Sequence, residues 1–325
     1  MEILIWSGIF VLALAALIIS ADRFTTSSEK IGLFFKIPPF IIGVTILALG
    51  TSMPELATSI LATLHGETEI VIGDVVGSNI ANILLVLSIT AIIAKKLTVD
   101  RDLIKVDLPY IFGSTILMLL FCLDGKFGYI EGIISLIMLA TYIAYNVQTH
   151  RRVGEEELKE QRKEKRQLKE EKEKKPTLGF KYPAIAILSA IALYFAADYT
   201  VQSIVKLAEL LKVGTEIVAV SAVAIGTSLP ELVVSVIAGL KGKGEIALGN
   251  VTGSNIFNAL GVMGGASLFG TLTIPEHMIS TTLPILVLIT VLYVFIAMDK
   301  QVTRWEGYTL IILYVAFIGL TFGVF

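Results

Sequence analysis

Charge is scarce in this chain, and so are histidine and cysteine. Only 17% of its 325 residues are charged, where a soluble domain carries about 25%. Hydrophobic residues make up 55%, and the mean hydropathy is +0.80. That balance excludes an ordinary soluble domain and fits a polytopic membrane protein. The single cysteine, Cys122, excludes an intrachain disulfide. It closes an apolar run and reads as a buried bystander. Of the three histidines, His65 and His277 fall in short loops and His150 opens the polar centre of the chain. None has a specific role on this reading, and a zinc or copper site lacks its usual ligands. The formal net charge of −2 gives no sign of a nucleic-acid partner. There is no nucleotide-binding loop, metalloprotease motif or nucleophile–base pair, so an enzyme is the least expected class and an ion gradient is the expected energy source. No cofactor is expected.

What is present is apolar sequence in long runs. Ten stretches approach the roughly 20 residues needed to cross a bilayer: Ile3–Ala21, Pro38–Leu64, Ile70–Ala94, Leu108–Cys122, Tyr129–Val147, Tyr182–Val201, Gly214–Leu240, Ile246–Gly270, Ser280–Met298 and Gly307–Val324. The first is expected to be retained as a span: Glu2 precedes it, no cleavage site follows, and more spans come after it. Between the fifth and sixth spans lies the one long polar segment. From Arg151 to Lys175 it holds eleven Lys/Arg and eight Glu. Opposite charges recur there at helical spacing, so part of it is expected to be a solvated helix, and the segment as a whole is expected to be a linker.

Lysine and arginine in the loops set the orientation. They mark the loops after spans one (Arg23, Lys30, Lys36), three (Lys95, Lys96, Arg101, Lys105), five, seven (Lys241, Lys243) and nine (Lys300, Arg304). The loops after spans two and eight have none, and the loop after span six, with Lys206 and Lys212, is the weak case. The expectation is a cell-membrane protein with both termini outside and the central loop cytoplasmic.

The chain also repeats itself. GTSMPEL, Gly50 to Leu56, recurs 176 residues later as GTSLPEL, Gly226 to Leu232. At the same offset GDVVGSNIAN (Gly73–Asn82) becomes GNVTGSNIFN (Gly249–Asn258), with seven of ten positions identical. Each half carries five spans. Five is odd, so the second half enters the membrane from the opposite side, which is a transporter architecture. The expected fold is therefore an all-α membrane protein of ten transmembrane helices, in two inverted five-helix repeats with broken helices at the midplane. Residues 1–150 form the first repeat, 151–180 the charged linker and 181–325 the second repeat.

A proline inside a span lacks an N–H and clashes with the preceding turn, so Pro54 and Pro230 are expected to break or bend their helices. Carbonyls freed near Thr51 and Thr227 then need a partner. Glu55 and Glu231 follow at once, and glutamates at membrane depth are costly and usually functional. Facing each other, they need a cation or protons between them. Ser78 with Asn82, and Ser254 with Asn258, are four apart and share a helix face. Gly73/Gly77 and Gly249/Gly253 are small-residue pairs that permit close helix approach. Hard oxygen ligands in this number suit Ca²⁺. Two carboxylates balance one divalent ion or several monovalent ones, which permits exchange of Na⁺ or H⁺ against Ca²⁺. Asp74, at the start of its span, reads as interfacial, with guidance of cations to the mouth as the other option. Asp22 and Asp198 read as solvated helix ends, with ion access as the other option.

These paired motifs resemble the two alpha repeats of the sodium/calcium exchanger family, within the cation/calcium exchanger superfamily. The resemblance covers nearly the whole chain and points to a prokaryotic member. It implies a secondary antiporter that exchanges several Na⁺ for one Ca²⁺ by alternating access, with net charge moved. It implies Ca²⁺ on Glu55 and Glu231 with the carbonyls of Thr51 and Thr227. The implied Na⁺ sites are lined by Ser52, Ser78, Ser228 and Ser254, with the carbonyls of Ala48 and Ala224 and again Glu55 and Glu231. Asn82 and Asn258 close the middle, and the first and sixth spans slide across the other eight. Some relatives, including potassium-dependent ones, carry aspartate at the position of Asn258, so asparagine there argues against K⁺ co-transport. A Ca²⁺/H⁺ exchanger of the same superfamily and, from another class, a cation channel are the competing readings. The expected partners are the lipid bilayer and inorganic cations, with no nucleotide, and the chain is expected to work as a monomer.

Overall fold

The structure, a computed structural model, describes residues 2–99, 106–165, 180–211 and 227–321, with the backbone alone for 147, 149–165, 208 and 211. Ten helices follow one another among the described residues: α1 Glu2–Phe34, α2 Pro39–Leu64, α3 Thr68–Ala94, α4 Asp107–Cys122, α5 Tyr129–Lys165, α6 Lys181–Leu211, α7 Leu229–Leu240, α8 over 244–267, α9 Met278–Met298 and α10 Arg304–Thr321. Six of them (α1, α2, α3, α5, α6 and α9) are long and apolar enough to cross a membrane. The chain is an all-α, multi-pass membrane protein.

Two helices depart from the lengths expected of them. α1 runs on to Phe34 and α6 to Leu211, well past the apolar runs that end at Ala21 and Val201. The added turns of α1 carry Asp22, Arg23, Glu29 and Lys30, which depress hydropathy. They are nevertheless amphipathic, with Phe24, Thr25, Ser27, Ser28 and Gly32 buried on one face. Asp22 and Asp198 are therefore interior helix residues rather than helix ends. α5 likewise continues as backbone helix into the charged segment as far as Lys165. The first half of the expected seventh span, including Ala224, lies outside the described residues.

α1 and α6 lie lengthwise against each other, the most extensive pairing among the described residues. They sit at its edge. In the most apolar stretch of α1 17% of residues are buried, against 78% in α3. The interior is built from α2, α3, α7 and α8. α2 packs on α8 as α7 packs on α3, and α3 packs on α10 as α8 packs on α5. This is the exchange of partners that an inverted repeat produces.

Glycine permits the α2–α8 crossing. A Cβ on Gly249 would stand 2.4 Å from the Phe40 carbonyl oxygen, and one on Gly253 would stand 2.5 Å from that of Val44. The first-repeat pair, Gly73 and Gly77, makes no such approach among the described residues. Its symmetric neighbour would be the segment 215–223, which lies outside them.

Two short ribbons clasp the halves together. β1 (Lys96–Thr98) pairs antiparallel with β4 (Gln301–Thr303), and β2 (Lys126–Phe127) pairs with β3 (Leu272–Thr273). Each ribbon takes one strand from each repeat. Leu97 and Val302 are partners in the first, Phe127 and Leu272 in the second, and all four are buried. The sequence analysis did not foresee these strands, because three residues are too few to show an alternating pattern.

Candidate cation-binding site

The first GTSxPEL motif does not break its helix where expected. Pro54 lies inside the helix Ala48–Leu64, and the irregular turn comes earlier, as a π-helical turn at Gly43–Leu47. The proline still leaves a mark, since it has no N–H to offer the carbonyl of Gly50, four residues back. The widened turn before it makes room for the departure from regular geometry. In the second motif Pro230 stands in the first turn of α7, where a missing N–H costs nothing. Thr227 and Ser228 form the turn leading into it. The GSN motifs end alike: Asn82 and Asn258 each open a π-helical turn, Asn82–Val86 and Asn258–Val262. Extra backbone turns of this kind gather at functional sites.

The structure brings the expected residues to one place. Glu55, Glu231, Thr51, Ser52, Ser78, Asn82, Ser228, Ser254, Asn258 and Ala48 are all buried, with exposures of 2% or less. Thr227 is partly exposed, and Ala224 lies outside the described residues. The hydrogen bonds cross between repeats. Ser52 donates to Glu231 Oε1 at 3.1 Å, Ser78 and Thr227 share a hydroxyl contact at 3.1 Å, and Thr51 reaches Asn250 Oδ1 at 3.5 Å and Ser254 Oγ at 3.4 Å. The PEL motif of one repeat thus docks on the GSN motif of the other.

The two halves of the cage are not equivalent. Glu231 Oε1 accepts from Ser52 and, at 3.5 Å, from Ser254. Its symmetric counterpart Glu55 has both oxygens buried without a hydrogen-bond donor among the described residues, as does the Ser228 hydroxyl that would mirror Ser52. Glu231 Oε2 and the side-chain amides of Asn82 and Asn258 are also unmatched there. Leaving so many polar atoms unpaired in a dry core costs about 1–3 kcal/mol each, and a buried carboxylate costs more. A cation removes that cost. Glu55 also borders a cavity of about 200 Å³ whose other walls include Thr58, Asp198, Thr227 and Pro230.

Residues beyond the expected ligands also belong here. Asn79 donates to the Asn255 carbonyl at 3.2 Å and ties α3 to α8 at the pseudo-two-fold. Their duplicated SN pattern was the available signal. Asn250 links Ser235, at 3.0 Å, to the cage. Asp74, read as interfacial or as a guide for cations to the mouth, is half-buried in the second turn of α3 and lies beside Thr227. No three His, Cys, Asp or Glu side chains converge as a metal cluster among the described residues. The donor set is one of carboxylates, hydroxyls and amides, which suits hard cations.

An inverted-repeat membrane core with a buried oxygen cage at its centre defines a secondary cation transporter. The family model described as sodium/calcium exchanger protein matches residues 5–148 and 181–323. The chain belongs to the sodium/calcium exchanger family, and so is a transporter rather than an enzyme. It is 32% identical to the sodium/calcium exchanger MaX1 of Methanosarcina acetivorans, over 97% of this chain and 98% of that one. It is 29% identical to the inner membrane protein YrbG of Escherichia coli, over 94% and 92%. Among solved structures it is similar to the sodium-calcium exchanger NCX_Mj soaked in zero Na⁺ and Ca²⁺. There the TM-score is 0.81 at 30% identity, covering 98% of this chain and 99% of that one.

Proposed function

We propose that this chain exchanges Na⁺ for Ca²⁺ across the cell membrane, with Ca²⁺ held between Glu55 and Glu231. The carbonyls of Thr51 and Thr227 complete the calcium site. Ser52, Ser78, Ser228 and Ser254, with the carbonyls of Ala48 and Ala224, line the flanking Na⁺ sites, and Asn82 and Asn258 close the middle. The observation that carries this reading is the set of unmatched buried oxygens, two on Glu55 and one on Glu231. Ca²⁺ requires about six to eight oxygen ligands, and two carboxylates neutralise one divalent ion or are shared by monovalent ones.

On this reading 1–150 and 181–325 are the two repeats and 151–180 the linker, and the packing of α1 along α6 at the edge of the molecule supports their movement as a pair across the other eight helices. The lysine and arginine pattern supports both termini outside and the linker in the cytoplasm. On this reading the working unit is a monomer.

The test uses the full chain in Na⁺-loaded liposomes diluted into Na⁺-free buffer, with ⁴⁵Ca²⁺ uptake followed over time. Uptake is expected only with the outward Na⁺ gradient, and Glu55→Gln or Glu231→Gln should reduce it to background. Uptake driven solely by a proton gradient would reassign the chain to Ca²⁺/H⁺ exchange. Flux indifferent to the counter-ion gradient would point to a channel.

A further inference from the structure

Two cavities border the α1–α6 pair, and a duplicated aspartate stands in the wall of each. The first, of about 200 Å³, is lined by Glu55, Thr227 and the α6 residues Tyr194, Ala197, Asp198 and Val201, among others. The second, of about 400 Å³, is lined by Ile18, Ile19, Asp22 and Arg23 of α1 with Ile237, Leu240 and Lys241. Asp198 lies 176 residues after Asp22, at the offset that relates the two repeats.

The two aspartates meet different partners. Asp22 is covered by an ammonium group: Lys241 Nζ lies 2.6 Å from its carboxylate and donates to Thr26 at 2.8 Å. Beside it Lys243 pairs with Glu29. The positions 176 residues before Lys241 and Lys243 are His65 and Glu67, so the corresponding turn of the first repeat offers no lysine. Asp198 is exposed and accepts only from the Gln202 amide, at 2.8 Å, with no cationic side chain paired to it among the described residues. It shares its cavity with Glu55, whose buried oxygens are unmatched there. An ionised carboxylate on a helix with apolar neighbours is costly and marks an ion path.

We propose that Asp198 is a recruitment subsite for the transported cations, standing in the wall of the cavity that reaches Glu55. Asp22 is the matching subsite of the opposite access route, withdrawn in this conformation by Lys241. The proposal rests on the exchange reading above. The Lys241 ammonium shows that a cation can sit against the Asp22 carboxylate, the counterpart of Asp198. The low-dielectric walls around Asp198 focus its field into the cavity and raise the local cation concentration. When α1 and α6 move, Asp22 exchanges Lys241 for an ion.

Right-side-out and everted vesicles from cells producing the full chain test this by initial ⁴⁵Ca²⁺ uptake at varied Ca²⁺. Asp198→Asn is expected to raise KM about tenfold at low ionic strength, the lower end of electrostatic focusing, on the cavity face only and with Vmax retained. The difference should shrink as salt shortens the screening length. Asp22→Asn should do the same on the other face, and Asp198→Glu should keep the wild-type KM. An unchanged KM in Asp198→Asn, a loss confined to Vmax, or a rise on both faces would overturn the proposal. Uptake that Glu55→Gln abolishes but Asp198→Asn leaves alone overturns this inference while the exchange reading stands. Wild-type vesicles without Na⁺-dependent uptake overturn the exchange reading itself.

Discussion

Ser52 and Ser228 occupy the same position in the two repeats, yet one is engaged and the other is not. Ser52 donates to Glu231 at 3.1 Å, while the Ser228 hydroxyl is buried with no partner among the described residues. A hydrogen bond to a charged acceptor contributes about 1.5–3 kcal/mol, and losing it strands the acceptor. Ser52→Ala should therefore lower the stability of the ion-free protein in detergent by about 1–3 kcal/mol. Ser228→Ala should leave it within about 0.5 kcal/mol of wild type. Added Ca²⁺ is expected to raise the Tm of both variants less than that of wild type. Thermal unfolding with and without Ca²⁺ reads the two effects apart, and equal Tm losses in the two ion-free variants would remove the asymmetry argued for the cage. The serines, glutamates and closing asparagines proposed for the site were legible as types and spacings, whereas Asn79 and Asn250 were not singled out. Which serine serves which glutamate was not legible, because a hydrogen bond across 179 residues has no local signature.

At the scale of the helix, the α2–α8 crossing depends on the absence of side chains. A Cβ on Gly253 would lie 2.5 Å from the Val44 carbonyl oxygen and 2.6 Å from the Ala48 Cβ. Backbone cannot rotate away as a side chain can, so the helices must separate. Gly253→Val should cost about 3 kcal/mol or more, at the upper end of overpacking. It should appear as aggregated or absent protein on size-exclusion chromatography in detergent. Gly8→Ala, where the added methyl meets nothing within 4 Å, is the matched control and should elute as wild type. The small-residue spacing was visible in the sequence, as was every apolar run. The true ends of α1 and α6 were not, since their last turns bury one face while carrying charges on the other. Pro54 illustrates the same limit. A proline forecasts a break, but the adjacent π turn at Gly43–Leu47 takes up the distortion and the helix continues through it.

For the molecule as a whole, the ion pairs of Lys241 with Asp22 and of Lys243 with Glu29 join α1 to the turn between α7 and α8. The cavity beside Lys241 is lined by no residue of the cage, whereas the other cavity borders Glu55. Partly exposed pairs of this kind contribute up to about 1 kcal/mol each. Lys243→Glu, which sets two carboxylates together, should shift the access equilibrium by about fivefold. The double swap Glu29→Lys with Lys243→Glu should restore it. Labelling of a cysteine placed at Ile18, in a Cys122→Ser background, reports the shift, and failure of the swap to rescue would argue against a latch.

By itself the sequence determined the class, the count of spans, the inversion of the repeats and the residue types of the cage. Those follow from hydropathy, from an odd number of spans per repeat and from a duplication kept at one offset of 176 residues. Tertiary structure alone decided the pairing: each PEL motif meets the GSN motif of the other repeat, and each ribbon takes one strand from each half. It also decided the asymmetry. Two repeats related by a two-fold axis present nearly the same groups, but a transporter open to one side cannot keep both halves in the same state. The difference therefore lies in partners rather than in residue types, with Glu231 held by serines and Glu55 left to the cavity.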